Sequence, residues 1–351
     1  MASGCQAQKK PVTRTIYHYN LGIITHGENI LPGQINYLRV SITDRCNLRC
    51  FYCTPWGGWQ KLPCQEILRY EELLRLARVA AGVGIRKIRV TGGEPLVRKG
   101  ALDFIRRLRQ VPGIEEVCLT TNGVRLAELA PELYATGLRH LNLSLDSLRR
   151  DCYRELTGQD HFGDVLAGLT RARALGFHPI KINCVVLKDL NDDELLDFAL
   201  LTQEQPLQVR FIEFMPTVEE ERWRRHFLPM AEVRRRLEAL GPLEAISSSA
   251  TAGPARTFRV HGFRGELGFI SSVSDHHCPT CNRLRLTAAG WLRPCLFAAS
   301  ELDIKGPLRQ GASDEALAHL FQEAIRLKGC VTPDPALPSP RPSQSMVSIG
   351  G

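Results

Sequence analysis

The chain has 351 residues, 44% hydrophobic and 23% charged, which is enough for one large domain with an appendage or for two domains. Those proportions are globular and exclude a disordered chain, and no run of 18 apolar residues offers a helical membrane span. The formal net charge of +8 points to an anionic partner such as a nucleotide, a nucleic acid or a membrane surface, although a solvated basic surface gives the same number. The first fifteen residues, MASGCQAQKKPVTRT, are polar and basic and lack the apolar core of a secretory signal, so a cytoplasmic location is expected. There the twelve cysteines stay reduced and read as metal ligands or core residues, not as a disulfide framework.

Residues 1–35 read as an irregular N-terminal arm. Regular alternation then begins, with strands expected at 37–42, 87–91, 117–121, 140–145, 180–187 and 209–214. Helices are expected at 70–83, 100–110, 125–136, 163–175 and 192–204. Six strands separated by helices imply parallel β/α units, an α/β fold built as an incomplete six-unit barrel of the TIM type over residues 36–217. The motif residues described below gather at the C-terminal ends of these strands. A C-terminal domain follows over 218–330, with shorter strands at 256–260 and 267–273. Its last helix, at 313–328, carries Leu317, Leu320, Phe321, Ala324 and Leu327 on one face. Ser313 or Asp314 caps its start and Gly329 ends it. The tail, 331–351, is rich in Pro and Ser and is expected to be flexible.

Cys46, Cys50 and Cys53 lie three and then two residues apart. Three thiolates in eight residues hold three corners of a 4Fe–4S cubane and leave the fourth iron open. A structural zinc knot is the competing reading, but zinc wants a fourth ligand nearby and none follows before Cys64. With Tyr52 just before the last cysteine, this spacing resembles the radical S-adenosylmethionine superfamily. Thr91-Gly92-Gly93-Glu94-Pro95, after the second strand, resembles the glycine motif of that superfamily. The resemblance implies that the amino and carboxylate groups of S-adenosylmethionine chelate the open iron. It also implies that reductive cleavage yields a 5′-deoxyadenosyl radical. Tyr52, Gly92, Gly93, Glu94, Ser144 and Met215 are the positions it assigns to that cofactor.

A second group, Cys278, Cys281 and Cys295, has spacings of two and thirteen residues. Read alone it fits a zinc site, with His276 or His277 as fourth ligand, as well as a second 4Fe–4S cluster. Both groups together, with Thr43-Asp44-Arg45-Cys46-Asn47-Leu48-Arg49-Cys50, Cys281-Asn282-Arg283-Leu284-Arg285-Leu286 and the terminal Ser348-Ile349-Gly350-Gly351, resemble one family. It is the GTP 3′,8-cyclase family, molybdenum cofactor biosynthesis protein A. The resemblance covers residues 30–351.

That resemblance implies two 4Fe–4S clusters, the second binding guanine, and a radical that takes the ribose 3′ hydrogen of GTP before C3′ joins C8. It assigns the substrate to Arg39, Lys87, Arg89, Thr120, Lys181, Arg210, Arg283, Leu284 and Arg285. Arg283, Arg285, Gly350 and Gly351 are its catalytic positions, with the tail entering the site. Arginine suits forked phosphate contacts, and Lys87 and Arg89 should share one face of their strand. An electron donor, the next enzyme of the molybdopterin pathway and a homodimer are the further partners implied; no membrane and no stable nucleic acid are expected. Trp56 to Trp59, Cys64 and His276-His277 depart from the family pattern. Two alternatives stand beside it. One is a radical S-adenosylmethionine maturase with an auxiliary cluster and another substrate. The other is a zinc-knot nucleic-acid-binding protein, which the 7% aromatic content and the spread of cations oppose.

Overall fold

Alternation within the strands decides which side chains meet the core and which are left for chemistry. The computed structural model describes residues 35–54, 58, 60–247, 253–275, 281–298, 300–328 and 346–350. Residues 1–34 of the N-terminal arm, Trp56, Gly57, Trp59, His276 to Cys278, Gly329, Cys330, residues 331–345 of the tail and Gly351 therefore lie outside the described residues.

The six expected strands are β1 (Tyr37–Ser41), β2 (Lys87–Thr91), β3 (Glu116–Thr121), β4 (His140–Ser144), β5 (Ile180–Val186) and β6 (Gln208–Glu213). Leu38, Val40, Ile88, Val90, Leu119, Leu141, Ile182 and Val209 point one way into the apolar core. The residues between them, such as Arg39, Arg89, Asn142 and Lys181, point the other way and line a cavity. The connecting helices are α1 (Tyr70–Gly82), α2 (Ala101–Leu108), α3 (Leu126–Ala135), α4 (Arg150–Thr157), α5 (Phe162–Ala174) and α6 (Leu195–Leu200). The first of these shows why they start and stop where they do. The Glu72 carboxylate accepts from the Arg69 amide at 2.6 Å, a reciprocal cap, and the chain leaves the helix through Gly84 at φ +103°. Two differences from expectation concern short elements: α6 covers only the middle of 192–204, and α4 was not expected.

The C-terminal half supplies α7 (Glu220–His226), α8 (Met230–Leu237), β7 (Leu243–Ile246), β8 (Arg256–Val260), β9 (Glu266–Ile270), β10 (Arg283–Leu286), β11 (Trp291–Arg293) and β12 (Leu302–Asp303). After them come α9 (Lys305–Arg309), α10 (Asp314–Lys328) and α11 (Met346–Ile349). The Ser313 hydroxyl accepts from the Ala316 amide at 3.3 Å, the cap expected for α10. All twelve strands form one sheet in the order β12-β11-β10-β1-β2-β3-β4-β5-β6-β9-β8-β7. The C-terminal half thus extends the six-stranded wall at both edges. β10 runs parallel to β1, with Tyr37 opposite Arg283, and β9 runs parallel to β6, with Gln208 opposite Glu266. Leu317, Phe321 and Ala324 of α10 are buried in the same core as α1, each large apolar side chain contributing about 1.5–3 kcal/mol.

Candidate active site

The polar faces of the parallel strands enclose a cavity of about 250 Å³. Cys46, Cys50 and Cys53 reach it from the loop after β1, at the C-terminal ends of the strands. Cys281 and Cys295 reach it from the other end. Cys281 precedes β10, which runs parallel to β1, so it lies beside the N-terminus of that strand, where the Tyr37 amide donates to the Asn282 carbonyl at 3.2 Å. The first cysteine group thus lies where the motif residues were expected, at the C-terminal ends of the six strands, and the second, which follows those strands in the chain, lies at the other end. The two cysteine groups are separated by the length of β1, about 13 Å at about 3.3 Å per step.

The first group is held by its neighbours on the sheet. The Gly93 amide donates to the Thr43 carbonyl at 2.7 Å and the Glu94 amide to that of Arg45 at 2.8 Å. A Cβ at Gly92 would lie 2.7 Å from the Thr43 carbonyl, and one at Gly93 would collide with the Arg45 carbonyl. The glycine motif is glycine because it presses on the cysteine loop. The Glu94 carboxylate is occupied by the protein itself, accepting from the amides of Asn122 at 2.6 Å and Leu96 at 3.0 Å and from the Thr121 hydroxyl at 2.9 Å. The Tyr52 hydroxyl donates to Asp146 at 2.7 Å, and the Tyr52 carbonyl accepts from Thr217 at 2.9 Å. Burial pushes the Cys46 thiol up to about 11 and raises those of Cys50 and Cys53 further, with the negative charge of Asp146 adding to both.

That donor set fits a cluster. Among the described residues, the one trio of His, Cys, Asp or Glu donors lying within 4.8 Å of one another is Glu116, Cys118 and His140. The three loop thiols are spread wider. A zinc ion, with sulfur at about 2.3 Å, would draw them closer than that. Three all-sulfur donors facing a cavity match three corners of a cubane.

At the second group the electrostatics reverse. Burial raises the Cys281 thiol, but the Arg283 guanidinium and the Lys328 ammonium outweigh it and bring it down to about 6. Arg293, 1% exposed, shapes the Cys295 loop by donating to the carbonyls of Leu296 at 3.3 Å and Ala298 at 2.9 Å. Ile349 of α11 packs with Leu296, Phe297, Met215 and Cys295, which brings the tail to the cavity. Arg285 donates to the Gly350 carbonyl at 3.3 Å. Gly350 has φ +83°, and a Cβ there would meet Ser41 and the Thr91 hydroxyl at 2.7 Å.

Between the two ends stands a shell of cations. Arg39, Lys87, Arg89, Lys181, Arg210 and Arg285 line the cavity. Lys87 is paired with Glu116 at 2.8 Å, and Arg89 donates to the Tyr37 hydroxyl at 2.5 Å. Burial, then repulsion from Arg285, holds Arg39 well below the usual guanidinium range. Burial and the charges of Arg210, Arg89 and Lys87 bring Lys181 down to about 7. Cations crowded against one another in a low-dielectric space favour an anion of several charges. The Thr120 hydroxyl oxygen and the Asn183 amide oxygen are buried in the same wall with no hydrogen-bond partner among the described residues. Buried polar atoms are almost always partnered, so both mark space for a polar ligand.

The wall also includes Ser144, Gly92, Gly93, Glu94 and Met215. Leu284 requires a correction. Its side chain is fully buried in the apolar core, because on a strand it must face away from Arg283 and Arg285. Cys278 and Gly351 lie outside the described residues. Sequence reasoning did not single out Asn183, Asp146 or Lys328. The pattern Lys181-Ile182-Asn183, polar on the face that carries Lys181, was the available signal for Asn183.

Parallel strands that place three cysteines and a glycine-rich strand end over one polar cavity define a radical S-adenosylmethionine protein. Residues 40–202 match the model of the Radical SAM superfamily, and residues 207–330 match Molybdenum Cofactor Synthesis C. Among solved structures, Streptococcus suis SuiB bound to S-adenosylmethionine superposes with a TM-score of 0.52 at 15% identity, covering 81% of this chain and 67% of that one. Native anSMEcpe with bound AdoMet gives 0.52 at 16% identity, covering 80% of this chain and 81% of that one. These two share the fold. Much nearer in sequence is a GTP 3′,8-cyclase of Moorella thermoacetica, 50% identical over 301 residues, 86% of this chain and 93% of that protein. A GTP 3′,8-cyclase of Geobacter sulfurreducens is 45% identical over 322 residues, 91% and 97% of the two. The chain belongs to the GTP 3′,8-cyclase family.

Proposed function

We propose that the protein is a GTP 3′,8-cyclase that converts GTP to (8S)-3′,8-cyclo-7,8-dihydroguanosine 5′-triphosphate in molybdenum cofactor biosynthesis. The observation that carries the reading is the shell of buried cations suspended between two cysteine groups in one cavity. Cys46, Cys50 and Cys53 would hold one 4Fe–4S cluster, and Cys278, Cys281 and Cys295 the other. With S-adenosylmethionine bound, the group held by Cys46, Cys50 and Cys53 would supply the electron that breaks its sulfonium carbon–sulfur bond, leaving methionine and a carbon-centred radical.

The chain's own residues then do the rest. Lys87 and Arg89 on β2, Lys181 on β5 and Arg210 on β6 neutralise the triphosphate from facing parts of the wall and fix the nucleotide along the cavity. Thr120 and Asn183 offer hydrogen-bonding oxygens to its polar edges. Tyr52, Ser144 and Met215 bound the space for S-adenosylmethionine on the C-terminal side. Arg283 and Arg285 stand beside the second group, and Arg285 holds Gly350 over the cavity. Burial of these groups keeps water from screening their charges, which strengthens their hold on an anion. An electron donor, a following enzyme that takes the cyclised nucleotide, and a homodimer complete the reading. Among the described residues no helix is long and apolar enough to cross a membrane.

The test is anaerobic turnover of reconstituted protein with S-adenosylmethionine, dithionite and GTP or ATP. The reading expects 5′-deoxyadenosine together with a GTP isomer, and neither with ATP. Deoxyadenosine without a GTP product would move the substrate elsewhere and favour a maturase.

A further inference from the structure

The apolar stripe of α10 runs through Leu317, Phe321 and Ala324, and its next buried position is Lys328. That lysine is 5% exposed. Its Nζ donates to the carbonyl of Pro294, the residue before Cys295, at 3.0 Å, and it lines the cavity with Cys281 and Cys295. Among the described residues no carboxylate pairs with it. Arg293, also buried in the same region, shows the usual solution, with Glu301 at 2.7 Å. An ammonium removed from water without a counter-charge is costly. The negative end of the α10 dipole offsets only a small part of that for a group so buried. What lies within reach is the second cysteine group, and an iron–sulfur cluster on three thiolates carries net negative charge.

We propose that Lys328 is a positioning residue that clamps the Cys295 loop through Pro294 and serves as the fixed counter-charge of the second cluster, raising its reduction potential. The proposal rests on the two-cluster reading above. Cluster potentials follow net charge, hydrogen bonding and exposure, and a nearby cation favours the reduced form. Lys328 then helps decide how readily this end of the cavity accepts an electron.

Full-length protein, reconstituted anaerobically, is assayed for iron and sulfide and then titrated redox-potentiometrically with EPR detection. The first cluster is recognised by the change in its signal on adding S-adenosylmethionine. Lys328→Met and Lys328→Gln are expected to lower the potential of the second cluster. The shift should be at least tenfold in the oxidised-to-reduced ratio, about 59 mV for a one-electron couple. Lys328→Arg should keep the wild-type value, and the first cluster should not move in any variant. Glutamine can still donate to Pro294. A wild-type potential in Lys328→Gln, with or without a shift in Lys328→Met, would therefore overturn the counter-charge. Should Lys328→Met and Lys328→Gln both lose half their iron while Lys328→Arg stays fully loaded, the charge is needed to build the cluster and the proposal stands. Equal loss in Lys328→Arg would overturn it. Wild-type protein holding a single cluster would remove the two-cluster reading itself, before any variant is compared.

Discussion

The two cysteine groups face one cavity from opposite ends and sit in opposite fields. Around Cys46, Cys50 and Cys53 the thiols are buried and repel one another, and the carboxylate of Glu94 beside Cys46 and that of Asp146 beside Cys50 and Cys53 add to the effect. Around Cys281 the neighbours are Arg283 and Lys328. An iron–sulfur centre among carboxylates is harder to reduce, and so a stronger donor once reduced; one among cations accepts charge and attracts anions. The same ligand type therefore suits electron delivery at one end and substrate holding at the other. The difference is written in the residues around the cysteines, not in the cysteines.

Four changes test that division, in falling order of effect. Cys50→Ala removes a ligand on the carboxylate side. It is expected to abolish 5′-deoxyadenosine formation and to leave the iron of one cluster, measured by product chromatography and iron assay. Arg285→Ala strikes the cationic side, taking a charged hydrogen-bond donor from the cavity, about 1.5–3 kcal/mol. The kcat/KM for GTP should fall about tenfold to a hundredfold, while the first cluster still responds to S-adenosylmethionine in EPR. A wild-type value would remove Arg285 from the substrate site.

The third concerns Lys181, held down to about 7 by burial and its cationic neighbours. In free protein at pH 8 it is mostly neutral. A bound triphosphate raises its pKa, so binding takes up a proton, and the KM for GTP climbs as pH rises above 7. Calorimetry at pH 8 in two buffers of different ionisation heat should show uptake of about one proton, absent in Lys181→Met. Thr120→Ala should be mildest. It removes one neutral hydroxyl, about 0.5–1.5 kcal/mol, and raises KM by about twofold to tenfold without altering cluster content.

Much of this was legible in the chain because the strands of the first half are short apolar alternations closed by helices, and local periodicity reports such elements directly. The cysteine spacings and the glycine strand end were equally local. β10 was not legible as a sheet member. Arg283 to Leu286 alternates well enough, but its partner β1 lies some 246 residues away, and nothing local encodes a parallel pairing across that separation. Without it, nothing says at which end of the strands the second cysteine group lies. Leu284 was misassigned for the same reason: without the strand, its side-chain direction is unknown. Asp146 and Lys328 were passed over because burial, not residue type, makes them matter. A lysine at a helix end is normally a solvated one.

The placement of β9 and β10 bears on how the protein can be made. A ribosome that has released only the first 217 residues has exposed a six-stranded wall whose outer strands, β1 and β6, still await the chain that will cover them. Bare parallel edges are templates for strand addition between molecules. Expression of the N-terminal half alone should therefore give aggregates, and genetic truncations before residue 286 should behave as losses of the entire protein, not as enzymes missing one cluster.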